Sequence, residues 1–124
     1  MSEIVLLLLM LLAHIVEDFH LQGRMADMKQ KIWWLKQTDD PKYQHDYIPV
    51  LLLHGFEWAI CVSIPVFFYT GFEPSMGYVF MACIMAILHS LVDHMKCNEM
   101  CINLVTDQAI HMVQIIVLFA MAIA

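Results

Sequence analysis

Three stretches of the sequence place a histidine and an aspartate four residues apart: His14 with Asp18, His89 with Asp93 and, in reverse order, Asp107 with His111. In a helix this spacing puts both members of each pair on one face. His54, followed one turn on by Glu57, is a fourth position of the same kind. Imidazole and carboxylate together are a donor set for Zn, Mn or Fe. A tetrahedral Zn takes four ligands at most. The seven donors His14, Asp18, His54, His89, Asp93, Asp107 and His111 therefore point to two divalent ions, or to one ion whose ligands are oriented by the remaining carboxylates. Zn fits this set best, with Mn and Fe as alternatives. All seven lie within or beside strongly apolar stretches, where an ionisable side chain costs about 2.5–3.5 kcal/mol on insertion scales.

The elements that must position these groups follow from composition. The chain has 124 residues, of which 61% are hydrophobic and 15% charged, against norms of roughly 45–50% and 25%. The mean hydropathy is +0.70. So small a soluble domain has too much surface to hide that many apolar side chains. Disorder, a soluble enzyme and a nucleic-acid-binding module are excluded, the last also by a net charge of -6. The expected partner is the lipid bilayer, with no nucleic acid. Four segments, at about residues 4–21, 47–69, 77–96 and 103–124, reach the length of about 20 apolar residues that a spanning helix needs. The chain reads as a single integral membrane domain over residues 1–124, an all-α antiparallel bundle of four transmembrane helices.

Five of the six basic residues fall in the loop at 24–46, and the sixth, Lys96, lies between the third and fourth spans. The positive-inside rule makes both loops cytoplasmic and leaves both termini outside. The first span carries Glu3 in place of a basic n-region, so it reads as a span and not as a cleaved signal. Met25, Met28, Ile32 and Leu35 recur at helical spacing and predict one short amphipathic helix over residues 25–36 on the cytoplasmic face, with Trp33 and Trp34 as interfacial anchors. Thr38, Asp39, Asp40 and Pro41 end it. Cys61 and Cys83 read as packing residues, and Cys97 and Cys101 as thiols of a reducing compartment.

The order of each His/Asp pair inverts where the chain direction inverts. At 1.5 Å per residue, the four histidines lie about 10–14 Å from the cytoplasmic ends of their spans, and the three aspartates about 4–8 Å. One layer of imidazoles beside one layer of carboxylates is expected. No Lys or Arg falls inside the spans, which argues against a plain salt-bridge network, and three close carboxylates would repel one another without a cation. Interhelical hydrogen bonding and a proton or ion relay are the competing readings of the same groups. Glu57 and Asp93 are the candidate catalytic residues, as general base. Lys96, Gln22 and Gln114 are candidates to bind substrate or to orient the cluster, as is Asn103. Gln108 is expected to point to another face. His20, His45 and His94 fall near the headgroup zone and have no expected role.

The stretch His14-Ile15-Val16-Glu17-Asp18-Phe19-His20-Leu21-Gln22 resembles H-x-x-x-D-F-x-L-Q, the opening signature of a family of small bacterial and phage membrane proteins catalogued as a domain of unknown function. Its later signatures are matched by His54, by Leu88, His89, Asp93 and Lys96, and by Asp107, Gln108 and His111. The loop with Trp33 and Trp34 is longer than the simplest family pattern. The resemblance implies a small helical bundle in a bacterial inner membrane. A more distant similarity to membrane-bound metal-dependent hydrolases implies a reaction class.

The expected function is thus a metal-dependent hydrolase at the cytoplasmic side of the membrane, acting on a phosphate-containing lipid-linked or nucleotide-like substrate. The alternatives are a non-enzymatic phage-type membrane effector and a metal or proton conduit. A conduit should carry polar groups to the outer face, whereas residues 4–13 and 115–124 are apolar. A homodimer is compatible with so small a chain, although Gly55 and Gly77 are too isolated to define a dimer face.

Overall fold

The structure, a computed structural model, describes residues 1–124, and all of its regular structure is helical. Helix α1 spans Glu3–Val16 and runs on into a π-helical turn at Glu17–Leu21. Two short helices follow, α2 at Met25–Met28 and α3 at Lys31–Gln37, then a single 3-10 turn at Pro41–Tyr43. The long helices α4, α5 and α6 span Tyr47–Tyr69, Met76–Cys97 and Leu104–Ile123. The α1 segment, α4, α5 and α6 are each long and apolar enough to cross a membrane.

Side-chain caps set three of the four long-helix starts. Ser2, Ser75 and Asn103 accept from the backbone N–H groups of Val5, Tyr78 and Thr106, satisfying donors that have no partner in the first turn. Helix α1 packs on α4 and α6, and α5 packs on the same two. Leu6 and Met10 of α1, Val62 and Val66 of α4, Tyr78 of α5 and Leu118 of α6 share one apolar core, so the start of α1 meets the end of α4, the start of α5 and the end of α6. Large apolar side chains such as Ile4, Phe68, Phe80 and Val105 stay exposed on the outside of these helices.

Helices α4 and α5 approach closely at Gly55. A Cβ on Gly55 would fall 2.1 Å from Ser90 Oγ and 2.3 Å from the Ala86 carbonyl oxygen. Ser90 Oγ donates to the Leu51 carbonyl across the same crossing. Gly55 is thus used within the chain, to let two backbones meet. His54 and His89 are the sequence neighbours of Gly55 and Ser90, so this contact brings their rings together.

The expected single helix over residues 25–36 is corrected. It is broken into α2 and α3, and Lys29, at the break, is buried at 5% exposure. The break is stabilised by what it releases: Asn98 accepts from the Lys31 N–H and donates to the Lys29 carbonyl. Burying an ammonium group requires an anion, and Lys29 Nζ donates to Asp93 at 2.6 Å. Trp34 turns its indole N–H to the Met28 carbonyl.

Candidate metal centre

The polar groups collect at the end of the molecule opposite the apolar core. Helix α1 supplies His14. The π turn that follows it supplies both Glu17 and Asp18, which are buried although adjacent in sequence. A π turn rotates less per residue than an α turn, which helps two consecutive side chains face inward; such turns are frequent at functional sites. Helix α4 supplies His54 and Trp58, α5 supplies His89 and Asp93, and α6 supplies Asp107, Gln108 and His111. His14, His54, His89 and His111 are all wholly inaccessible to solvent.

Three donor atoms form a triangle. His54 Nε2 lies 3.3 Å from His89 Nε2 and 3.5 Å from Asp18 Oδ1, and His89 Nε2 lies 3.6 Å from the same oxygen. Tetrahedral ligands with edges of this size sit about 2.0–2.2 Å from a shared centre, the range of Zn–N and Zn–O bonds. Asp93 Oδ2 is 3.1 Å from His54 Nε2, and Asp93 Oδ1 is 3.2 Å from His111 Nε2. Glu17 Oε1 approaches the outer nitrogen of His54, Nδ1, at 3.1 Å, the relation by which carboxylates orient metal-binding imidazoles. Glu17, Asp18, His54 and His89 form one group able to hold an ion, and His89, Asp93 and His111 another.

The charges do not balance within the protein. Glu17, Asp18, Asp93 and Asp107 are buried carboxylates. Two ammonium groups meet them: Lys29 on Asp93 and Lys96 on Asp107, the latter at 2.9 Å. When all four carboxylates are ionised and the imidazoles neutral, two negative charges remain, which one divalent cation or two imidazolium protons would neutralise. The expectation that the aspartates have no lysine partners is therefore corrected. Lys29 arrives from the loop and Lys96 from the last turn of α5.

His14 stands apart from both ligand groups. Its Nδ1 accepts from Trp58 Nε1 at 2.8 Å, and its Nε2 is 2.9 Å from Gln108 Oε1. With both nitrogens engaged, His14 links Trp58 to Gln108. Gln108 is a correction too: it faces the cluster, and its amide donates to Asp18 Oδ2 and to Asp107 Oδ2, each at 3.1 Å. Gln114 Oε1 lies 2.9 Å from His111 Nδ1, so it holds that ring. Gln22 donates to the Asp18 backbone carbonyl. Glu57 makes no hydrogen bond to the cluster, and its Oε2 is buried without a partner. Asn103 serves as the cap of α6. His94 stacks on Tyr47 and pairs with Glu99. All four cysteines are free.

The sequence reading does not place Glu17, Trp58, Lys29 or Gln108 in the cluster. Glu17 follows His14 by three residues and Trp58 follows His54 by four, so helical spacing alone marks both. Trp58 stacks on His89 with ring centroids 4.3 Å apart. Lys29 and Gln108 have no such signal; each reaches a helix remote in sequence.

A family model matches residues 6–124, nearly the whole chain, under the description "Protein of unknown function (DUF3307)". The chain belongs to that family. No curated protein and no solved structure matches it.

Proposed function

We propose that this protein crosses the bacterial inner membrane four times as an antiparallel bundle, holds divalent metal near the cytoplasmic face, and hydrolyses a phosphate-bearing substrate there. The observation that carries the metal reading is the triangle of His54 Nε2, His89 Nε2 and Asp18 Oδ1, with edges of 3.3–3.6 Å in a region that is short of positive charge. A divalent ion there would supply Lewis acidity and lower the pKa of a coordinated water. Zn fits the nitrogen-rich half best, and Mn or Fe the carboxylate-rich half.

The hydrolytic reading rests on the chemistry of the surrounding residues. Lys29 and Lys96 are the two ammonium groups at the cluster, and both are held on carboxylates. In an exchange of partners they would take a phosphate, an anion such groups bind readily. No surface cavity is lined by a ligand residue. Entry therefore requires the Lys29 segment to withdraw, and Lys29 serves as latch and as first contact of the arriving anion. Lipid-linked phosphates and nucleotides share that anion. The same closure favours a second reading, in which the ion only stabilises the fold.

The test is metal analysis of protein purified in detergent, followed by phosphate release from a panel of lipid-linked phosphates and nucleotides. Bound divalent metal in the wild type, lost in His89→Ala, supports the centre; metal-free wild type sinks it. Turnover abolished in His54→Ala supports the hydrolase. Bound metal with no turnover on either substrate class supports the stabilising ion instead.

A further inference from the structure

The environment of His111 defines a second ion position. Gln114 Nε2 donates to the Met85 carbonyl at 3.4 Å, which orients the amide and turns Oε1 to His111 Nδ1. Nδ1 must then carry the proton, and in the neutral ring Nε2 is left with a lone pair. That lone pair faces Asp93 Oδ1 at 3.2 Å and Asp107 Oδ1 at 3.3 Å. Both oxygens approach the same nitrogen, and in the neutral ring that nitrogen offers them no donor. Asp107 Oδ2 takes hydrogen bonds from Lys96 and Gln108, while Asp107 Oδ1 is buried with no hydrogen-bond partner. An unpartnered buried carboxylate oxygen aimed at an imidazole lone pair is strongly unfavourable unless a cation sits between them. Separations of 3.2 and 3.3 Å from Nε2 are those of neighbouring ligands about 2.0 Å from a tetrahedral centre.

Asp93 joins this position to the first. Its Oδ1 belongs to the His111 set, and its Oδ2, which also accepts from Lys29 Nζ, lies against His54 Nε2. The two histidines have matching surroundings: each turns one nitrogen inward to carboxylates and has the other facing a side-chain oxygen, from Glu17 for His54 and Gln114 for His111. We infer that the protein holds two divalent ions bridged by Asp93, the second bound by His111 Nε2, Asp93 Oδ1 and Asp107 Oδ1 with a coordination position left open for the anion that balances its charge. This inference rests on the metal reading above. Bridged pairs of this kind lie about 3.5–4 Å apart and suit a phosphate that spans both ions. The competing occupant of the second position is a proton on His111.

The test uses the full chain in detergent, loaded with Mn and freed of excess ion, and read by elemental analysis and electron paramagnetic resonance. The wild type is expected to hold about two ions per chain, with the hyperfine pattern of an exchange-coupled pair. Asp107→Asn preserves the side-chain shape and is expected to hold about one, with the pattern of an isolated ion. Thermal melting of metal-free wild type and Asp107→Asn checks that the variant folds, and His111→Gln provides an independent removal of a ligand. One ion in the wild type, kept in Asp107→Asn and lost in His54→Ala, overturns the second position and assigns the proton, while leaving the first intact. Two uncoupled ions overturn the bridge. No ion in the wild type overturns both this inference and the metal reading on which it rests.

Discussion

The two ends of the molecule are assembled by different interactions. At one end Leu6, Met10, Val62, Val66 and Leu118 meet as fully buried apolar side chains. In the proposed lipid setting such residues would gain little from leaving their solvent, so their helices would associate by fitted shape. The hydrogen bond between Ser63 and Tyr78, at 2.8 Å, is an isolated polar contact there. At the other end, contacts have direction and charge: Lys29 on Asp93, Lys96 on Asp107, and the chain from Trp58 through His14 to Gln108 and on to Asp18. Shape tolerates replacement by another side chain of similar volume. A charged network does not, because each group removed leaves its partner buried and unmatched. Trp58 belongs to both ends, with its ring in the apolar core and its N–H on His14.

Substitutions separate the two kinds of assembly. The largest effect is expected from Lys29→Ala, which strands the Asp93 carboxylate. It should lower the stability of metal-free protein by about 3–5 kcal/mol in detergent unfolding titrations. Added Zn should recover part of that loss, and an equal loss with and without Zn would separate Lys29 from the ion. Leu118→Ala comes next, at about 2–4 kcal/mol from the cavity it leaves, and its bound metal should be unchanged in elemental analysis. Trp58→Phe keeps most of the ring and removes the donor to His14. It should cost about 1–3 kcal/mol, with metal retained, because His14 is not among the proposed ligands. Tyr78→Phe should be the smallest change, about 0.6 kcal/mol, typical of a hydrogen bond between membrane helices. A larger loss of stability or of metal in Tyr78→Phe would show that the two ends are coupled.

The four apolar helices were legible because a run of some 20 apolar residues has few other uses. The recurring His/Asp pairs were legible because helical spacing converts four residues into one face. His54, His89, Asp93 and His111 do converge, and groups able to hold a metal ion form around them from three of the long helices and the π turn. Glu17 and Trp58 lay within reach of the same argument, since each sits on the face of an assigned histidine. The broken loop helix was not legible. Its apolar spacing is sound locally, but burial of Lys29 against Asp93, 64 residues away, decides where it breaks.

The sequence by itself determined the class of the protein: helical, strongly apolar and carrying imidazoles and carboxylates at one recurring helical spacing. These are properties of composition and of a single helical period, which need no knowledge of neighbours. The tertiary structure decided which donors share a centre. His14, on the same face as Asp18, is satisfied by Trp58 and Gln108, while His54 and His89 meet because Gly55 lets α4 and α5 touch. It also decided where the balancing charge comes from, because a flexible lysine side chain in a loop finds its carboxylate only after the helices that carry the carboxylate have packed.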